Sequence, residues 1–277
     1  MSKKSNFIKI TDSMLNQINY DDNYEIIMLL NICKHLNANY LAWGEKSFFT
    51  SPTILLGEVV EQEEPTRKIQ QTIINSLQSL IDKNIIEAEG ERLTWTSKIK
   101  IIGDGLVNRM NNAKPSVTTF ITMEELKILM SQPIKEQSDL IKAYLYLLSR
   151  MNISNIQSLV EHEGEFTLYD FDQNDNFNFT FVSDTIDYMR CRKNYRIECD
   201  NNWIGKKQLS DTLKTLSDIG LIKSTTRSIA NGCNKGLITK RNFYYLPIIE
   251  DWKMNKVIDR YVSRRNWTET NKNAPQN

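Results

Sequence analysis

Apolar residues recur along most of the chain at the three- and four-residue spacing of amphipathic helices, broken by short stretches whose alternation reads as strand. Two helical stretches are copies of one another. Residues 75–86 and 211–222 align at an offset of 136, so that Leu77, Leu80, Asp82 and Ile86 meet Leu213, Leu216, Asp218 and Ile222. Ser76 meets Thr212, Ser79 meets Thr215 and Ile85 meets Leu221. Ile73 and Leu209 extend each leucine stripe backward by one turn. Gly220 supplies the left-handed residue that ends the second helix, and Asn84, the next-best choice, stands in its place in the first.

Each copy continues as strand, turn and strand. In the first, 85–88 turns at Glu89-Gly90-Glu91 and returns over 93–102; in the second, 221–230 turns over 231–236 and returns over 237–246. Upstream the likeness persists at an offset of 132, with residues 49–54 resembling 181–186. Ser51 before Pro52 is a helix cap followed by proline at the first helical position, and Ser183 is expected to cap the second copy's helix likewise. Longer apolar helices precede both, at 24–36 and 140–151. The second copy carries an inserted hairpin at 165–182, and Thr122 with Glu125 forms a capping box that starts a helix. A last helix at 248–267 has a broad apolar face that must pack either on its own module or on a second copy of the chain.

Helix, short strand, helix, helix, strand, wing and strand is the order of a winged helix-turn-helix, and the leucine stripe followed by Gly220-Leu221-Ile222 resembles the recognition helix and first wing strand of that superfamily. The resemblance implies a mainly α fold with small β-hairpins, of α+β class, built as two winged helix-turn-helix domains in tandem. The expected boundaries are an N-terminal arm (1–22), a first winged helix (23–105), a linker (106–117), a second winged helix with an inserted hairpin (118–247), the C-terminal helix (248–267) and a disordered tail (268–277).

Composition narrows the function. The 277 residues are 40% hydrophobic and 25% charged, the balance of a soluble globular chain. No apolar run reaches the ~18–20 residues that span a bilayer, and no apolar stretch follows the first lysines, so a cytoplasmic protein without membrane contact is expected. Cys33, Cys191, Cys199 and Cys233 do not make a disulfide framework or a zinc ribbon. Phosphate-binding glycine motifs are missing. His35 and His162 stand far apart, which excludes paired-histidine nickase chemistry. These features predict a protein that is not an enzyme and holds neither cofactor nor metal.

Charge then points to a partner. The net charge is only +1, but residues 190–265 carry 17 Lys and Arg against 7 Asp and Glu, leaving the remainder acidic. The bases fall on the elements a winged helix offers to double-stranded DNA: Arg190, Arg192, Lys193 and Arg196 before the recognition helix, Lys206, Lys207, Gln208, Ser210 and Lys214 on it, and Arg227, Asn231, Asn234, Lys235, Lys240 and Arg241 on the wing. In the first module Arg67, Lys68, Gln70, Gln71 and Asn75 form a second DNA-binding or partner surface, preceded by the acidic residues Glu58, Glu61, Glu63 and Glu64, which repel phosphate. The tandem arrangement resembles plasmid and phage replication initiators and DnaD-like proteins. That resemblance implies binding to origin repeats, with host replication proteins and a homodimer as further partners. A winged-helix transcriptional regulator of a mobile element has the same DNA chemistry, and a non-DNA protein-assembly module is the alternative from another class.

Overall fold

The structure is a computed structural model, and it describes residues 7–18, 22, 24–43, 47–57, 65–90, 93–103, 105–106, 118–165, 179–190, 203–230 and 238–272. The chain forms two compact units, 1–149 and 150–277, each α+β with small sheets.

In the first unit the order is β1 (Phe7–Thr11), α1 (Asp12–Gln17), α2 (Glu25–Trp43), β2 (Ser47–Thr50), α3 (Pro52–Gly57), α4 (Arg67–Asp82), β3 (Glu87–Glu89), β4 (Ile99–Ile102), β5 (Thr118–Thr122), α5 (Met123–Met130) and α6 (Ile134–Ser149). The second unit runs α7 (Ile153–Glu161), β6 (Phe181–Val182), α8 (Ile186–Arg190), α9 (Lys206–Asp218), β7 (Lys223–Ala230), β8 (Ile238–Tyr245) and α10 (Asp251–Lys272). Both units contain an antiparallel three-stranded sheet in which the last strand lies in the middle: β2-β4-β3 in one, β6-β8-β7 in the other. The internal repeat read from the leucines is therefore also a repeat of topology.

Local signals place several ends as expected. Asn84 and Gly220 have φ of 53° and 77°, the left-handed conformation that stops α4 and α9. Ser51 Oγ accepts from the amide of Ile54, and Thr122 with Glu125 makes a reciprocal capping box. Other boundaries differ. The segment expected as an arm is β1, which pairs antiparallel with β5, so residues 118–149 fold with the first unit and the division falls at 149/150 instead of 105/118. The helix expected at 140–151 is α6 of that first unit, and the helix before β6 in the second unit is α7. Thr185, not Ser183, caps α8 by accepting from the Tyr188 amide. The strands of the first hairpin, expected at 85–88 and 93–102, are shorter, β3 and β4 keeping only Glu87–Glu89 and Ile99–Ile102. The inserted hairpin lies mostly outside the described residues, with β6 its described remnant. The C-terminal helix begins at Asp251 and runs through part of the expected tail to Lys272. It packs on its own unit, burying Met254, Val257 and Ile258, with Lys253 Nζ donating to the Val160 carbonyl at the end of α7.

The first unit's core centres on α2, whose Ile26, Ile27, Met28, Leu29, Leu30, Ile32, Cys33 and Leu36 are all buried. A helix apolar on every side must be wrapped by other elements. Burial alone pushes the Cys33 thiol up to about 12, so it stays protonated at neutral pH. Polar groups fix α4 against the start of α2. Asp22 accepts from the amides of Tyr24 and Glu25 and from Ser76 Oγ, 2.7 Å from its Oδ2. The fully buried Glu25 carboxylate accepts from Ser79 Oγ at 3.1 Å and from Lys83 Nζ at 2.5 Å. Ser76, Ser79 and Lys83 lie three and four residues apart, one α4 edge facing one helix start. Replacing Lys83 by Ala removes a cation from a buried carboxylate and is expected to cost about 2–3 kcal/mol, reduced from a fully buried pair because Lys83 is one-third exposed. Adding Glu25→Gln should recover part of the loss. Urea denaturation measures both, and a Lys83→Ala cost below about 0.5 kcal/mol contradicts the role given to the pair.

Candidate nucleic-acid interface

Helix α9 carries the leucine stripe inward and the polar residues outward. Leu209, Thr212, Leu213 and Leu216 are buried, while Lys206, Lys207, Gln208, Ser210 and Lys214 are exposed. Asp211 and Asp218 share that exposed side, so its outer line reads Lys207, Asp211, Lys214, Asp218 at four- and three-residue spacing. Its N-cap is Gly205, which has no side chain to fill the first orphan amides; Lys206 and Lys207 follow at once. Hydrogen-bond donors, helix-dipole positive charge and two ammonium groups thus share one helix end, a combination that attracts phosphate oxygen.

The approach to α9 is braced by α8. Arg190 Nε donates to the Ile204 carbonyl at 2.9 Å, and Trp203 Nε1 donates to the Met189 carbonyl at 3.1 Å. Asp187 accepts from Lys206 Nζ at 3.2 Å and from Arg190 at 3.3 Å. The Lys206 hydrogen bond and charge, with a smaller share from Arg190, hold the Asp187 carboxyl below the usual carboxylate value. Arg190 is therefore a brace, and Lys206 is shared between the fold and solvent.

The β7–β8 ribbon has two unlike faces, set by its register of Arg227 opposite Arg241 and Ser228 opposite Lys240. The covered face lies against α10. There Arg227 donates to Asp259 at 2.6 Å, Asn255 at 2.7 Å and Thr225 at 2.6 Å, and Lys223 pairs with Asp251 at 2.7 Å. The Lys223 hydrogen bond lowers the Asp251 carboxyl, so this pair persists from neutral pH downward and is lost only as acid passes below the usual carboxylate range. Phe243 and Tyr261 meet edge to face beneath the ribbon, and Phe243 and Tyr245 are buried. The open face presents Ser224, Thr226, Ser228, Lys240 and Asn242.

The structure thus leaves Lys206, Lys207, Gln208, Ser210 and Lys214 all exposed on α9, with Lys207, Ser210 and Lys214 sharing one side and Lys206 and Gln208 at its two flanks, and keeps Lys240 exposed on the open ribbon face. It turns Arg227 and the half-buried Arg241 to the covered face, with Arg227 engaged by α10. Arg192, Lys193, Arg196, Asn231, Asn234 and Lys235 lie outside the described residues, as do Glu58, Glu61, Glu63 and Glu64.

In the first unit the corresponding helix, α4, exposes Arg67 and Lys68 in its first turn, after Thr66 has capped it by accepting from Ile69. Gln70 is folded back, its Nε2 donating to the Pro65 carbonyl at 2.9 Å. Gln71 and Asn75 remain outward, joined by a 2.9 Å hydrogen bond, and Gln78 joins the same side, donating to Asp82 at 2.8 Å. Sequence reading passed over Gln78, although it stands seven residues after Gln71 and so shares its face. It also passed over the hydroxyl row of Ser224, Thr226 and Ser228, which the period-two alternation of the wing contains.

Comparison with protein-family models, with curated proteins and with solved structures returned no match to this chain. Among the described residues, no helix is long and apolar enough to cross a membrane, and no three His, Cys, Asp or Glu side chains gather to hold a metal.

Arg227 gives a direct check on the two-faced ribbon. Arg227→Ala is expected to lower the unfolding free energy by about 2 kcal/mol, since three side-chain partners lose their donor. The salt dependence of any DNA binding should stay as it was. A stable variant whose salt slope falls would place Arg227 on phosphate instead.

Proposed function

We propose that the chain is a sequence-specific double-stranded DNA-binding protein built from two winged helices, of the kind that plasmid and phage replication initiators use on origin repeats. One observation carries this reading. Burying Leu209, Leu213 and Leu216 leaves α9 with Lys206, Lys207, Gln208, Ser210 and Lys214 on its exposed side, where a winged helix presents its recognition helix to the major groove. The repeated sheet order β2-β4-β3 and β6-β8-β7 supports two copies of that module.

Roles follow from position. Lys206 and Lys207, at the uncapped helix start, neutralise phosphates. Gln208 and Ser210 stand where base edges are read, and Lys214 tracks the backbone one turn further along. Lys240, with the hydroxyls and amide of the open ribbon face, flanks the helix as a wing. Asp187 competes for Lys206 and so limits binding that is purely electrostatic. A transcriptional regulator makes the same use of these residues and differs in its target arrangement, direct repeats in an origin against an inverted repeat over a promoter.

The test is a salt titration of duplex binding by the intact protein. Changing Lys206, Lys207 and Lys214 together to Ala should weaken binding to every sequence and reduce the slope of log affinity against log salt by about 2.7, at ~0.9 for each phosphate no longer neutralised. An unchanged slope overturns the assignment of α9. Footprinting on the DNA that encodes the protein then separates the two outputs by repeat orientation.

A further inference from the structure

The two reading helices carry different chemistry on equivalent faces. At the repeat offset, Gln71, Asn75 and Gln78 of α4 occupy the places of Lys207, Asp211 and Lys214 of α9. Where the second unit sets charge, the first sets carboxamides. The three carboxamides, between Arg67 and Asp82 on the same line, add little affinity for phosphate themselves, but carboxamides are the side chains whose paired donor and acceptor match adenine in the major groove.

The geometry selects the pattern further. Gln71 Nε2 donates to Asn75 Oδ1 at 2.9 Å, which orients both amides and uses one donor of the first and the acceptor of the second. What the pair still offers is the Gln71 Oε1 acceptor beside the Asn75 Nδ2 donor. Adenine presents the complement in the major groove, an N6 amino donor beside the N7 acceptor. Gln78, seven residues on from Gln71, donates to Asp82 and extends the strip with a second carboxamide oxygen. Ile74 stands half-buried on the flank of the strip, an apolar side chain fit to meet a thymine methyl. Arg67 and Lys68, exposed in the first turn, provide the phosphate contacts that would hold the helix in the groove.

We infer that α4 is a base-reading helix for A·T pairs, with Gln71 and Asn75 together recognising the major-groove edge of one adenine. The inference rests on the DNA-binding reading above and adds to it a second base-reading helix: the lysines of the second unit supply most of the affinity, and the first unit adds base identity to that read by Gln208 and Ser210. Gln70, tied to Pro65, takes no part.

The experiment uses the full chain and a duplex enriched by selection from random sequence with the wild-type protein. Each adenine of that site is replaced in turn by 7-deazaadenine, which removes only N7. At one or more A·T pairs wild-type affinity should fall about tenfold. A Gln71→Ala/Asn75→Ala variant should bind the unmodified site about tenfold more weakly and show no additional weakening at that pair. Gln70→Ala should behave as wild type throughout. Both residues of the double variant are exposed, and its thermal unfolding beside wild type confirms an intact fold. If the double variant keeps every 7-deazaadenine sensitivity and selects the same sequence, the inference is overturned while DNA binding stands. A wild-type protein that binds no duplex overturns both. A double variant with unchanged DNA affinity and selection overturns the inference as well and makes α4 a surface for another macromolecule.

Discussion

Everything proposed for this protein depends on which way two helices are turned, and that is set by burial of a leucine stripe. In α9 the apolar positions 209, 213 and 216 recur at helical spacing, and in α4 so do Ile73, Leu77 and Leu80. Each such side chain, fully buried, contributes roughly 1.5–3 kcal/mol. Rotating either helix by a third of a turn would expose most of that and drive a lysine or glutamine into the core. The outward faces are therefore determined by the inward ones. The left-handed Asn84 and Gly220 then stop both helices and turn the chain toward β3 and β7.

Charge is distributed unevenly on that frame. In the second unit several cations are consumed internally: Arg227 by Asp259 and Asn255, Lys223 by Asp251, Arg190 by the Ile204 carbonyl and Asp187. Among the described residues, the cations that stay outward are Lys206, Lys207 and Lys214 on α9, Lys240 on the open ribbon face, and Lys256 and Arg264 on α10. The first unit reverses the emphasis. Its ion pair of buried Glu25 with part-exposed Lys83 fixes the position of α4, and the middle of the outward face of α4 is left to uncharged amides.

Much of the fold was legible because its signals are local. A proline after a serine, a Thr and Glu in capping-box spacing, and a Gly or Asn after a leucine stripe each act within four residues, and the structure shows them where they were read. The unit boundary was not legible, because it depends on β1 pairing with β5 more than a hundred residues away. Nothing in FIKIT or TTFIT identifies its partner. The α9 side of the site could be read from helical period alone. The ribbon side could not: Arg227 looked like a wing cation until Asp259 and Asn255 of α10 were seen to claim it. Gln70 looked like part of the outward DNA-binding or partner surface of α4 until its amide proved to close the helix start against Pro65.

The central claim is that this chain grips duplex DNA through an exposed lysine face. Its most direct measurement is the affinity of the intact wild-type protein for a mixed-sequence duplex of about 40 base pairs, followed from about 50 to 200 mM salt. The account predicts detectable non-specific binding at the low end and a straight log–log decline whose slope corresponds to at least three neutralised phosphates. Binding that is absent at the low-salt end, or that does not weaken as salt rises, would contradict it.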